Sequence, residues 1–266
     1  SRFKPHSGDW QCVIAQPDDV VPFELVDLSE LSETRQSDAL AGHAARLHTT
    51  LNLQAGPLMR VALFDRGSQL NSYLLIVIHH LVVDGVSWRI LLEDLQTVYQ
   101  QLSGGEKPSL PAKTTSFKTW AERLTEYARS GALRDELSYW LALGKNPPTR
   151  LPFDEAGGAN TVAEARTISV SLDADDTRAL LQEVPVRYRT QINEVMLTAL
   201  VRSFAQWTGS PSLLVDLEGH GREEIIDDVN LSRTLGWFTT IFPVVLDCGK
   251  AQSPAEALPV VKEQLR

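Results

Sequence analysis

The chain has 266 residues, 43% of them hydrophobic and 22% charged, with a net charge of -9. This composition supports a sizeable core in one large domain or two smaller ones. The acidic balance, with Lys and Arg scattered singly, argues against nucleic acid or anionic lipid as the main partner, since both reward clustered basic side chains.

"SRFKPHSGDWQCVI" opens the chain with the pattern of a strand pair. Residues 31–48 read as a helix, and the second half of "LNLQAGPLMRVALFD" as a strand. "NSYLLIVI" (71–78) is short, apolar and rich in β-branched residues, which predicts a strand buried on both faces. Beyond Asp84 and Gly85, the residues Trp88, Leu91, Leu92, Leu95, Tyr99 and Leu102 fall at helical spacing until Gly104 and Gly105 end the pattern. A second helix is predicted from Phe117 to Leu143, carried by Trp120, Leu124, Leu137 and Trp140, with Gly131 as its point of interruption.

"LGKNPPTRLPFDEAGGANTV" (143–162) is rich in Pro, Gly and Asn and reads as a linker. After it, "ARTISVSL" (165–172) alternates like a strand and "DADDTRALLQEV" opens with helix-capping acids. Thr190 is the expected cap of a helix, "QINEVMLTALVRSFAQW", that ends at Gly209. "SLLVDL" (212–217) and "WFTTIFPVVLD" (237–247) read as strands around a polar glycine loop, and "LPVVKEQLR" as an uncapped amphipathic turn or two. Strands and helices are mixed on both sides of the linker, so two α/β lobes are expected. Cys12 and Cys248 match no metal spacing and read as reduced thiols of a cytoplasmic protein. No apolar run is long enough to cross a bilayer, and no signal pattern opens the chain.

Three stretches carry residues capable of chemistry. "IHHLVVDGVSW" (78–88) places His79 and His80 at the end of an apolar strand. Neighbours on a strand point to opposite faces, so the two histidines cannot serve one site in the same way, and no third ligand stands at metal spacing. A histidine there can be an acid or base near neutral pH, or a packed strand end. Gly85 permits a tight turn into the helix, and Asp84 can either orient an imidazole or lock the loop. In "DLEGHGREE" (216–224) a strand ends in two glycines that flank His220. Glu223 and Glu224 read as solvated, whereas Glu218 directly follows apolar strand residues, where partial burial would raise its pKa toward proton transfer. In "SRTLGWFTTIFPV" (232–244) Gly236 precedes two aromatics, and most of the aromatics read as core.

These motifs carry a family resemblance. "HHLVVDG" resembles the HHxxxDG motif of the condensation superfamily of nonribosomal peptide synthetases, whose fold is similar to chloramphenicol acetyltransferase. "EGHGREE", "RTLGWFTTIFPV" and "YRTQINEVMLTAL" resemble the epimerization domains within it. The resemblance implies two chloramphenicol-acetyltransferase-like lobes of mixed sheets flanked by helices, with the active site in the cleft between them. Residues 1–155 would form the N-terminal lobe without its first segment, and 156–266 the first part of an incomplete C-terminal lobe. The family's opening and closing motifs are missing, so a central segment is expected, and Phe242 stands where the family usually has Tyr.

The implied substrate is an aminoacyl or peptidyl thioester on the phosphopantetheine arm of a peptidyl carrier domain, directly upstream in the same polypeptide. A condensation domain is the expected downstream neighbour. The implied reaction inverts the α-carbon by acid/base transfer between His80 and Glu218, with no cofactor bound directly and no metal, because the thioester carbonyl acidifies the α-proton. By the family's pattern Asp84 is structural, with Arg60 as its expected ion-pair partner, and His79 packs or hydrogen-bonds. Gly85 supports the loop, and His220, Arg222 and Trp237 are candidates for contact with the substrate or the pantetheine arm. The rival readings are a condensation domain joining two carrier-bound substrates and a non-catalytic module that docks carriers.

Overall fold

The computed structural model describes residues 1–14, 21–143, 151–154, 157–159 and 161–266. Much of the predicted linker, including residues 144–150, lies outside the described residues. The fold is α/β, and its chain resolves into two compact units. One holds Ser1–Ala132 together with His220–Thr240, and the other holds Leu133–Gly219 together with Ile241–Arg266. The units are therefore interleaved in sequence rather than divided by one cut near residue 155, because the segment after residue 219 packs with the first unit before the chain rejoins the second.

In the first unit, β1 (Arg2–His6) and β2 (Asp9–Val13) form the expected antiparallel hairpin. Its turn residues Ser7 and Gly8 both take positive φ, 51° and 90°, the twist that two-residue hairpin turns favour. A mixed three-stranded sheet follows, in the order β3-β4-β5. Its strands are β3 (Phe23–Asp27), β4 (Met59–Asp65) and β5 (Tyr73–Ile78), with β3 parallel and β5 antiparallel to β4. Helix α1 (Glu33–Thr49) supplies Leu47 to a core with Leu28, Ala62, Phe64 and Val77. Gln36, also buried, donates to the carbonyls of Leu28, Leu31 and Arg66, satisfying loop ends that the core would otherwise strand.

β5 is not buried on both faces: Tyr73 is 50% and Leu74 46% exposed. The apolar run was misleading because β4, the less apolar strand, takes the central place and β5 the edge of the described sheet. Helix α2 (Gly85–Ser103) is where the spacing put it, yet it buries Ser87 and Ile90 and leaves Leu92, Leu95, Tyr99 and Leu102 exposed. α3 (Phe117–Arg129) stops at Ser130, a short 3-10 turn spans Gly131–Arg134, and α4 (Leu137–Leu143) resumes in the second unit, so the long helix breaks at Gly131 as expected. Trp120 of α3 packs with Leu231 and Phe238, anchoring 220–240 to this unit.

The second unit is built on α7 (Ile192–Thr208), α8 (Pro254–Gln264) and a two-stranded sheet of β6 (Ser212–Gly219) and β7 (Thr240–Asp247). Its core joins Val201, Leu213, Val244, Leu246, Cys248, Ala257 and Val261. Four of these, Val201, Leu246, Ala257 and Val261, are fully buried, and the three larger ones each contribute about 1.5–3 kcal/mol of apolar burial.

The caps differ from the sequence reading in two places. Gln191, not Thr190, is the N-cap of α7; the Glu194 carboxylate accepts from the Gln191 N–H at 2.8 Å and from the Thr190 hydroxyl. α8 is capped after all, by the Ser253 hydroxyl accepting from the Glu256 N–H at 3.3 Å. Upstream lie α5 (Ala174–Arg178), a π turn over Ala179–Glu183 and α6 (Val184–Tyr188), with Asp173 accepting from the Asp176 N–H as a capping acid should. "ARTISVSL" is not a strand: Ile168 is 90% and Val170 91% exposed, and no described strand lies beside it to complete a ladder.

Candidate active site

β5 ends at Ile78, so His79 and His80 follow the strand rather than sit on it. Their roles still diverge, for a different geometric reason. His79 is extended; its backbone N–H donates to the Leu58 carbonyl at 2.9 Å, and its Nδ1 accepts from the Leu81 N–H at 3.2 Å. His80 opens a 3-10 turn over His80–Val82, and its side chain is exposed. The first histidine is engaged with its own backbone, and the second faces outward.

Asp84 is the N-cap of α2 and is 3% exposed. Its Oδ1 accepts from the Ser87 N–H at 2.7 Å, and its Oδ2 accepts from the Phe238 N–H at 3.2 Å. Arg222 Nη2 donates to both carboxylate oxygens at 3.1 Å and to Ser87 Oγ at 3.0 Å. Nη1 of the same guanidinium donates to the carbonyls of Leu231 and Thr234 at 2.9 and 2.8 Å, and the group lies 3.9 Å above the Phe238 ring. Burial opposes charge on Asp84, but hydrogen bonds from Ser87 and Phe238 and the Arg222 charge outweigh it and hold the carboxyl below its usual value.

Arg222 therefore takes the place expected of Arg60, and the sequence reading of that ion pair is corrected. Arg60, paired in register with Val77 on β4, opens instead onto a cleft that Arg2, Gly56 and Leu91 also line. Every acceptor site of Asp84 is already filled from the 220–240 segment and from α2 itself. With a side chain 7% exposed, Arg222 is a brace in this structure rather than a surface group reaching for a ligand.

Ser87 was missed by sequence reasoning. It is fully buried, donates to the Gly236 carbonyl at 2.9 Å and accepts from the Gly236 N–H at 3.1 Å. The available signal was a small polar residue on the inward side of a helix, three positions after an Asp cap. Thr114, Thr115 and Thr234 form a second, smaller set of cross-links: Thr234 Oγ1 donates to the Thr115 carbonyl at 2.6 Å, and the two threonine hydroxyls Thr114 and Thr234 meet at 3.0 Å.

The network explains two motif glycines. Gly221 has φ +63°, and a Cβ there would sit 1.7 Å from the Phe238 carbonyl oxygen. At Gly236 a Cβ would sit 2.3 Å from Phe117 Cδ2. Gly85, by contrast, needs no special turn: its φ lies outside the left-handed region and a Cβ would meet nothing within 4 Å.

His220 is exposed; its Nδ1 accepts from the Arg222 N–H at 3.0 Å and lies 3.5 Å from Glu223 Oε1. Glu223 and Glu224 are solvated as expected. Trp237 is 41% exposed, and its ring centroid lies 5.6 Å from that of His80. Phe238 is core, but its neighbour Trp237 is not, which splits the aromatics that the sequence grouped together.

Glu218 belongs to the other compact unit, near the end of β6. The partial burial expected for it is absent. Leu213, Val215 and Leu217 point into the core, so the even positions Leu214, Asp216 and Glu218 point away from it and are exposed. Glu218 lines a cleft of about 730 Å³ with Asn193, Met196, Phe242 and Lys262. Phe242, where the family usually carries Tyr, is 37% exposed on that cleft.

Among the described residues, no group of three or more His, Cys, Asp or Glu is arranged to hold a metal ion. No described helix is long and apolar enough to cross a membrane. What the chain presents is a pair of exposed Brønsted groups, one in each unit, and a motif aspartate wholly occupied in bracing.

A mixed α/β fold with the paired histidines above a buried Asp–Arg brace defines a condensation-superfamily domain of the chloramphenicol-acetyltransferase-like fold. The family described as "Condensation domain" matches residues 2–266, and the chain belongs to it. One of the proteins that make up the linear gramicidin synthase of Brevibacillus parabrevis is 46% identical over 266 residues, which are 100% of this chain and 5% of that protein. The crystal structure of the epimerization domain from the third module of tyrocidine synthetase B is 37% identical with a TM-score of 0.87, over 100% of this chain and 60% of that one. The first condensation domain of the calcium-dependent antibiotic synthetase shares the fold at 22% identity and a TM-score of 0.70, over 99% of this chain and 61% of that one.

Proposed function

We propose that this chain is part of an epimerization domain that interconverts L and D configurations at the α-carbon of an aminoacyl or peptidyl thioester. The substrate is carried on the phosphopantetheine arm of a peptidyl carrier domain, which supplies that arm as part of the substrate, in the cytoplasm. One group removes the α-proton, the thioester carbonyl takes up the electron pair as an enolate, and a second group returns a proton to the opposite face. No atoms are gained or lost, and no redox step is involved. His80 and Glu218 are the two groups, both are exposed, and among the described residues neither side chain is held by a hydrogen bond. The carrier stands upstream in the same polypeptide, and a condensation domain is the downstream neighbour.

The observation that carries the reading is the convergence of "EGHGREE" and "RTLGWFT" on the HHxxxDG loop. Arg222 and the backbone of Gly236 and Phe238 all bind Asp84 or Ser87. The segments that resemble epimerization domains thus bind Asp84 and Ser87 of the loop that carries His80. Greater likeness to the solved epimerization domain than to the condensation domain supports the same reading.

A single loaded carrier tests it. Epimerization requires one carrier-bound substrate, whereas condensation requires two. Formation of the D-aminoacyl thioester from one L-loaded carrier is the expected result. Retained L configuration, with amide formation only after a second loaded carrier is added, would establish the rival function.

A further inference from the structure

We propose that Trp237 is a positioning residue whose indole sets the orientation of the His80 imidazole. The inference rests on His80 acting as a proton-transfer group.

A histidine that moves protons is ordinarily oriented by a hydrogen bond that its other ring N–H donates, commonly to a carboxylate. Asp84, the carboxylate in the same motif, is wholly committed to Arg222, Ser87 and Phe238. Among the described residues no hydrogen bond reaches the His80 ring. The ring instead meets Trp237, with centroids 5.6 Å apart and planes inclined at 54°.

The position of Trp237 is itself fixed by the brace. On one side, Gly236 exchanges two hydrogen bonds with Ser87 Oγ, at 2.9 and 3.1 Å. On the other, the Phe238 N–H donates to Asp84 Oδ2 at 3.2 Å. The backbone is therefore held on both sides of Trp237. Burial alternates along these three residues: Gly236 and Phe238 are buried, Phe238 beneath the Arg222 guanidinium, and Trp237 turns outward. The motif aspartate thus acts on the motif histidine at one remove, by holding an aromatic ring beside it. An aromatic contact also tolerates changes in the protonation of the imidazole, which a fixed hydrogen bond to one nitrogen does not.

The test uses NMR of the imidazole rings in the full chain, with the His80 signals assigned by their loss in His80→Ala. In the parent protein, nuclear Overhauser contacts between the His80 and Trp237 rings are expected, with His80 ring protons displaced by the indole ring current. Trp237→Leu keeps apolar bulk but removes the aromatic face. It should abolish the displacement and slow α-proton exchange on carrier-bound substrate about 2- to 10-fold, with Trp237→Phe restoring most of both. Absence of the ring-to-ring contacts in the parent would overturn the proposal whether or not any variant folds. So would a folded Trp237→Leu protein that exchanges at the parent rate. Undiminished exchange in His80→Ala would instead overturn the acid/base reading, while the ring contacts would still stand or fall on their own measurement.

Discussion

Asp84 and His80 stand in the same short loop, yet their surroundings are opposite. Asp84 is 3% exposed and takes hydrogen bonds from two backbone amides and from a guanidinium that is itself 7% exposed on its side chain. His80 is exposed, and its ring lies near that of Trp237, with the two planes tilted at 54°. Glu218, in the other unit, resembles His80: it is exposed at a strand end, with core residues on the opposite side of its strand. A buried, fully satisfied charge cannot change its protonation without disrupting everything that binds it, so it serves as a brace. A solvated group with free lone pairs can exchange protons repeatedly. In this loop the two ionisable side chains differ in their surroundings: one is buried and bonded, the other open to solvent.

Breaking the brace should have the largest effect on stability. Asp84→Ala leaves the Arg222 charge buried without its partner and is expected to cost about 3–5 kcal/mol in denaturant unfolding. Arg222→Met should cost a comparable amount, because it leaves the buried Asp84 carboxylate without its guanidinium and the Leu231 and Thr234 carbonyls without their donor. In a double-mutant cycle the two losses should be strongly non-additive, which is the signature of one shared interaction. Additive losses would separate the two residues.

Next in size is Gly221→Ala. It combines a left-handed φ of +63° with a Cβ 1.7 Å from the Phe238 carbonyl oxygen, so the 220–240 segment must shift. A loss of more than about 2 kcal/mol in the same unfolding experiment is expected. Gly85→Ala, whose Cβ meets nothing, should by contrast be within about 0.5 kcal/mol of the parent.

Acid sharpens the comparison further. Folding lowers the Asp84 pKa, so its ionised form contributes stability that is complete above the unfolded-state value near 4. That contribution is lost as pH falls through the lower folded-state value. The stability difference between the parent and Asp84→Asn should be constant above about pH 5 and shrink below about pH 4. A difference that grew on acidification would contradict the assignment of the charge.

The smallest expected effects on folding belong to the chemical residues. His80→Ala and Glu218→Gln each change an exposed side chain with no hydrogen bond among the described residues, and unfolding free energy should change by no more than about 0.5 kcal/mol. Large destabilisation by either would move it from the chemical side of the comparison to the bracing side.

Much of the architecture was legible in local pattern. The β1–β2 hairpin, α1, α2, the break at Gly131, α7 ending at Gly209 with φ +72°, and β6 all fall where periodicity and turn residues put them. The exposed acids Glu223 and Glu224 were legible as well. Long-range pairing was not. Arg222 lies 138 residues from Asp84, and no period or cap signal links them, so Arg60 in "PLMR" stood as the expected partner instead. The 165–172 segment failed for a related reason: alternation records a preference for a strand, but a strand also needs a neighbour, and none is present among the described residues. Glu218 was placed on the right strand and on the wrong assumption of burial, because the register of β6 sends even positions away from the core. Ser87 shows the opposite failure: a residue small and polar enough to pass as a surface position proved to be the junction between α2 and the 220–240 segment.

The central claim is that proton transfer resides on His80 and Glu218 while Asp84 only braces. Its most direct measurement is wash-in of solvent deuterium at the α-carbon of a carrier-bound aminoacyl thioester, compared between the parent and His80→Ala at equal folded fraction. A loss of about 10²-fold or more in exchange rate is expected for a protein whose unfolding curve is unchanged. Exchange at the parent rate in that folded variant would contradict it.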